Sequence, residues 1–329
     1  MNDYVNPNVI TSRIYMRNKS TILSNQLPDN IFPNPEIINR IVDNIDRYSV
    51  RYSLSSADNG GKLLIIYLSI NEECVYTIKC IIDDGVVCRI LYKNDIIRSA
   101  NYLDLFSCNI IGDYSKYHEN GSIHKVTPYA DDLKHGLENE WNDKNVLIKK
   151  TSYIKGIIDG EVSEFYPDGT IKSTINYVNG VKNGDGILYH DNGNISQKFH
   201  YKNGALDGNY KIWNKDGLLI REYNFFMGSY HGVVREWYLD GGLHSEYNFV
   251  CGLKNGKDVT YHRNGGINYI KYFTNDVLDG IYESYYDNGS IKSSVNYING
   301  KVDGYFCIYD IDGNITEKLM CVDGKRYYV

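Results

Sequence analysis

The side chains able to carry acid–base or metal chemistry are eight histidines, seven cysteines and 41 aspartates and glutamates. Their spacing decides what they can do. His118, His190 and His262 recur at one position of a 24-residue period, three periods apart. If each period is a pair of strands, neighbours in this set lie six strands, or roughly 29 Å, apart, too far to share one metal. His135 and His231 stand where other periods carry Asp or Asn, which marks a turn. Glu236, Glu246 and His244 could meet on adjoining strands. Positions equivalent to Glu236 hold Glu164, Leu188, Ile212 and Thr260, the pattern of a solvated surface. No Ser-His-Asp order, P-loop or zinc-spaced cysteine set occurs. The many Asp-Gly and Asn-Gly pairs lack the D-x-D-x-D-G ligand spacing of a calcium loop. The expectation is a chain with no catalytic, cofactor or metal residues.

Composition narrows the partners. Net charge is −6 with the two signs interspersed. Nucleic-acid binding needs a basic patch that releases counterions, and a polybasic membrane anchor needs a basic run; neither is present. The cysteines are odd in number and form no C-x-x-C pair, which predicts reduced thiols in a cytoplasmic compartment. The opening MNDYVNPNVITSR has no basic region followed by an apolar run, so no secretory signal is expected. The longest apolar run, Leu63 to Leu68, is too short to span a bilayer.

The elements that must position any such site are set by the period itself. Glycine recurs every 24 residues at Gly112, Gly136, Gly160, Gly184, Gly208, Gly232, Gly256, Gly280 and Gly304, nine units without insertion or deletion. Let each of these glycines be offset 0. Offset 5 is always aromatic: Tyr117, Trp141, Phe165, Tyr189, Trp213, Trp237, Tyr261, Tyr285 and Tyr309. Offset 11 is always aliphatic, from Ile123 to Ile315. Offset 17 is Tyr or Phe in every unit but the last, where Cys321 stands. Offsets 8 and 9 read Asp-Gly or Asn-Gly, as at Gly169, Gly193, Gly217 and Gly241; the second unit has Lys144-Asn145.

Pro167 precedes Asp168 and cannot take the positive φ of a type I′ turn. A type I turn with glycine in the left-handed region, followed by a bulge, fits instead. That register pairs offset 6 with 10 and offset 5 with 11, so Phe165 should face Ile171, Trp213 Leu219 and Trp237 Leu243. Each such pair contributes roughly 0.2–1 kcal/mol. By strict alternation, offsets 5, 11, 15 and 17 share one apolar face and the even offsets 12, 14 and 16 face water. Offsets 18–23 make a second turn that returns the chain antiparallel.

The predicted fold is an all-β repeat array: a single-layer antiparallel meander of stacked hairpins, twisted or curled, with a short N-terminal helix. Nine units give about 18 strands, roughly 85 Å across if flat, so a twist or curl is expected. Residues 1–55 read as an N-terminal arm and capping helix. Asn34-Pro35-Glu36 starts the helix and Ile37, Ile38, Ile41, Val42 and Ile45 form its stripe over 35–47, to cap the array or dock a partner. Residues 56–111 read as degenerate hairpins, with strands over 62–69, 74–82 and 86–92. Residues 112–329 are the array.

The unit G-x-x-x-x-(aromatic)-x-x-(D/N)-G-x-(I/L)-x-x-x-x-x-(Y/F)-x-x-G-x-x-(N/D/H)-G resembles MORN repeats. The form is that of bacterial antitoxin-like repeat proteins and of long arrays in giant DNA viruses. The Y-x-G opening and G-x-G core of standard MORN units are absent from most units here. What the resemblance implies is an elongated β-array that mediates contacts and not catalysis. It implies a non-enzymatic scaffold for protein–protein interaction, in host cytoplasm or virion if the source is viral. An antitoxin-like inhibitor of one enzyme and a peripheral membrane tether are the alternatives. The partner would be a protein or a second copy of the chain; nucleic acid is not expected. The tyrosine rows, among 32 tyrosines, serve either as core packing or as an exposed binding face. If offset 5 packs, Trp213→Ala should lower the melting temperature more than His190→Ala; equal small shifts in a thermal denaturation series would refute that packing.

Overall fold

A computed structural model describes residues 49–56, 61–70, 73–83, 86–104, 107 and 109–328. They divide into two compact units, the first ending at Gly169 and the second beginning at Thr170. Every regular element among the described residues is a β-strand. The helix expected over 35–47 lies outside them.

The first unit opens with five long strands: Ser49–Ser56, Lys62–Ile70, Glu73–Asp83, Val86–Lys93 and Ile96–Asp104. Three match the strands read from sequence to within a residue or two. The first and fifth were not anticipated, and the first begins inside the segment read as an arm. Their one-sided burial follows from alternation. Leu64 pairs with Cys80, Ile66 with Ile78, Ile82 with Val87, and Val87 with Leu103. All seven are buried, Ile66, Cys80 and Val87 fully. Burial pushes the Cys80 thiol up to about 12, so it is inert as a nucleophile at neutral pH. The repeat hairpins follow, from Ile110–Tyr117 to Ile157–Phe165.

The second unit is repeat throughout, from Ile171–Val178 to Lys325–Tyr328. Within each unit, strands pair antiparallel with their chain neighbours, and no pairing joins first strand to last. The described strands belong to one sheet that is open within each unit, and the expected curling does not close it.

The hairpin turn is the one the sequence required. In the fourth repeat, Gly193 donates its N–H to the His190 carbonyl at 3.0 Å, and the His190 N–H donates to the Asn194 carbonyl at 2.8 Å. Gly193 has φ +85, the left-handed region that glycine enters without cost. Asn145 takes the same place in the second repeat at φ 65. Gly169, Gly217 and Gly241 repeat the geometry, and the period-marking Gly160, Gly184, Gly208 and Gly232 also have positive φ. The second turn is a two-residue loop with φ positive at both residues, as at Asn179-Gly180, the mirror turn whose twist suits flanking strands.

The pairing of offset 5 with 11 holds at Tyr189–Ile195, Trp213–Leu219, Trp237–Leu243, Tyr261–Ile267 and Tyr285–Ile291. The single apolar face of odd offsets does not. Past Tyr189–Ile195 the register slips: Leu188 pairs with Gln197, leaving Ser196 extra on the return strand. The same bulge recurs in the other repeats, as between Ile212 and Trp213. One added residue reverses the alternation. Offsets 15 and 17 consequently share a face with offsets 2 and 4 of the outgoing strand. Offset 5 lies on the opposite face with offsets 1, 3, 14 and 16. Contacts agree: Lys150, at offset 14, lies 5.9 Å from the Phe165 ring centre, and Tyr285 donates to Glu283, at offset 3, at 2.7 Å.

The face with offsets 2, 15 and 17 carries a ladder of rings. Phe199 stacks on Tyr210 at 5.3 Å, and Tyr210, Tyr223, Phe225, Tyr230 and Phe249 continue it at 4.7–6.0 Å. Such pairs contribute about 0.5–1.5 kcal/mol each beyond burial. Gly186, at offset 2, is where Phe199 folds over the backbone: a Cβ there would stand 2.1 Å from the ring. Gly186→Ala should therefore cost about 1–3 kcal/mol by overpacking. Adding Phe199→Leu should recover part of that loss; strictly additive losses in urea denaturation would show that the two positions do not touch.

Candidate functional site

The side chains with chemical potential are mostly spent in holding the repeat together. His118, His190 and His262 each place Nε2 against the carbonyl of the next unit's offset-5 residue: Trp141 at 2.9 Å, Trp213 at 2.9 Å and Tyr285 at 3.1 Å. Tyr238 and Tyr286, at the same offset, donate their hydroxyls to Tyr261 and Tyr309 carbonyls at 2.7 and 2.9 Å. Histidine and tyrosine are interchangeable here because both offer a donor at the end of a ring. The recurrence of histidine thus reports a strap between units. Sequence spacing excluded a shared metal but could not reveal the strap, since its acceptor is backbone.

The opposite turn edge is stitched by backbone. Gly204 donates to the Lys182 carbonyl at 2.9 Å and Gly228 to the Leu206 carbonyl at 2.8 Å. His231 donates its N–H to Asn224, and its Nδ1 accepts from the Cys251 N–H at 3.4 Å, so its role is in the turn. Glu236 and Glu246 do not form a pair. Glu236 accepts from Ser245 and Tyr247 at 3.4 and 3.3 Å on the ladder face. Glu246 takes Arg235 at 2.6 Å on the other. His244 Nδ1 is 3.9 Å from Glu236 and its ring meets Tyr238. Ser245 bonds directly to the carboxylate and not through the imidazole, so this is no acid–base relay. Among the described residues, no three His, Cys, Asp or Glu side chains converge as a metal site.

Each compact unit buries a carboxylate at offset 2, beside the rings of offset 15 or 17 and four residues after a lysine: Glu138 in the first and Asp258 in the second. Lys134 Nζ meets Glu138 at 2.7 Å and lies 4.5 Å over Tyr153. Thr127 donates to the same carboxylate oxygen at 2.7 Å. Lys254 meets Asp258 at 3.1 Å and lies 4.3 Å over Tyr247. These lysines lay their stems on aromatic faces while the ammonium binds the acid. Burial pushes the Glu138 carboxyl up, but the hydrogen bonds from Lys134 and Thr127 and the Lys125 charge outweigh it, leaving it below its ordinary 4.5.

The aromatic residues marked out by the sequence, Phe165, Tyr189, Trp213, Trp237, Tyr261 and Tyr285, line the face opposite the ladder, half-buried. The Tyr285 phenol is pushed up to about 12 by burial and by its bond to Glu283. Three open concavities border this row's edge or floor, at Trp213, Trp237 and Tyr285. Exposed aliphatic residues flank the second turn in many units, among them Val178, Val181, Val250, Leu253 and Ile298. The arrangement offers two chemically different surfaces that vary from unit to unit on a constant backbone.

A family model for the MORN repeat variant matches residues 158–179, 182–203, 230–250 and 278–299. No curated protein matches the chain.

The depressed Glu138 acid has a pH consequence. A carboxyl whose folded pKa lies below its unfolded value stabilises the fold above about pH 4.5, and that contribution is lost as pH falls through the folded value. Glu138→Gln should lower the melting temperature at neutral pH, and the gap to wild type should shrink progressively as the solution is acidified below pH 4.5. Parallel curves over the acid range would refute the coupling.

Proposed function

We propose that this chain, whose repeats include four of the MORN variant, is a non-enzymatic scaffold that docks a protein partner in a cytoplasmic compartment. MORN repeats are in general protein- or membrane-binding modules, and the family is typically non-enzymatic. One observation supports the protein-docking reading most. The polar side chains that recur hold neighbouring units together, whereas the side chains that vary stand on open sheet faces. A fixed lattice presenting changing residues is what a recognition surface needs, with half-buried aromatics as anchors and polar surroundings for specificity.

The occupant is a folded or extended protein segment, or a second copy of the chain. Affinity purification of the full chain after crosslinking tests this. Recovery of protein partners, or of crosslinked homo-oligomers, is the expected result. A single stoichiometric enzyme, silenced when bound, would favour the inhibitor reading instead. Salt-resistant flotation with liposomes, and no protein partner, would replace docking to protein by a membrane tether.

A further inference from the structure

On the face opposite the ring ladder, offsets 3 and 14 form a cross-strand row in the second unit. The register puts Lys198 opposite Lys211, Lys211 opposite Glu222, Glu222 opposite Arg235, and Arg235 opposite Glu246. From Lys211 onward the charges alternate and are joined: Lys211–Glu222 at 3.2 Å, Arg235–Glu222 at 3.7 Å and Arg235–Glu246 at 2.6 Å. Lys198 breaks the alternation. It is exposed, faces another lysine, and has no ion pair among the described residues. Like charges directly opposite are destabilising in a sheet, so the fold has no use for a lysine there.

A cavity of about 490 Å³ opens at this point, lined by Lys198, Lys211, His200, Asp185, Asn209 and Trp213. Its one carboxylate is engaged: Asp185 lies 2.8 Å from His200 Nδ1. Asn209 donates to Glu222 at 2.8 Å, on the same carboxylate oxygen that Lys211 meets, so that acid is held by the neighbouring strand and forms no ion pair with Lys198. What remains is the ammonium of Lys198, unpaired among the described residues, beside the half-buried indole of Trp213 and beside Lys211, whose ammonium has three donors and gives Glu222 only one contact. That combination fits a carboxylate bridging the two lysines and an apolar side chain two residues along an extended chain, resting on the tryptophan.

We propose that this groove binds an acidic, extended peptide segment of a partner protein, with Lys198 and Lys211 taking the carboxylate and Trp213 the apolar neighbour. This rests on the reading that the array docks protein. A polyanionic surface such as a lipid bilayer or nucleic acid fits less well. Glu222 and Glu246 follow the two lysines in the same row, and the net charge is −6.

The test uses the full chain and a blocked Glu-Ser-Phe-Ser-Glu peptide, which puts Glu and Phe two residues apart on one face of an extended chain, with a Lys-Ser-Phe-Ser-Lys peptide as control, titrated by calorimetry. The acidic peptide should bind at least tenfold more tightly than the basic one, and less tightly as salt rises. Lys198→Glu should weaken binding at least tenfold while leaving the melting temperature equal or higher, because a carboxylate there completes the alternation with Lys211. Unchanged affinity in the variant would overturn the proposal, as would equal binding of the two peptides. So would Lys198-dependent binding to phosphatidylserine vesicles without peptide binding. Protein partners recovered equally well by wild type and Lys198→Glu would sink this groove while leaving protein docking intact.

Discussion

One added residue on each return strand governs the molecule. A hairpin of this length would otherwise put every odd position on one side. Because offset 4 pairs with 13 while offset 5 pairs with 11, offset 12 is surplus, and the phase of alternation changes within the hairpin. The conserved-looking aromatic at offset 5 is thereby separated from the rings at offsets 15 and 17. The array acquires two aromatic surfaces where strict alternation would give one greasy face and one wet one. Repetition of the bulge in unit after unit keeps the two surfaces continuous along the sheet within each compact unit.

The two surfaces have different physics. On the ladder face, rings pack on rings at 4.7–6.0 Å, and the gaps are filled by lysine stems and by carboxylates that are themselves buried. Asp258 and Glu138 stand there at 3% and 6% exposure, which is tolerable only because each meets an ammonium. The opposite face carries, from Lys211 to Glu246, a row of alternating cross-strand charges bordered by the offset-5 aromatics. Its charges are partly exposed, so each pair adds little stability. A surface of low energetic stake can vary without harm to the fold, and this is where recognition has room to differ between units.

Both edges are tied by bonds whose acceptors are backbone carbonyls. A His or Tyr at offset 6 straps one edge, and a glycine N–H at offset 20 stitches the other. Neighbouring units are therefore coupled through the main chain, independent of which residues occupy the faces. A substitution on the face opposite the ladder then alters the surface presented without altering the stack, unlike one at Gly186 on the ladder face, where an added Cβ would meet the Phe199 ring.

The sequence by itself determined the period, the strand-turn-strand order, the left-handed turn residues and the offset 5–11 pairs. Each of these depends only on local chemistry: glycine or asparagine tolerates positive φ, proline forbids it, and a short loop fixes the first pairs beyond it. The tertiary structure alone decided the faces, because a bulge has no residue signature at Ser196 or its equivalents and yet inverts every side chain past it. It alone showed that His118, His190 and His262 bind carbonyls, that Glu236 and Glu246 point apart, and that Lys198 meets Lys211. All of these depend on register between strands, which is set by pairing across the sheet and is not written in any one segment.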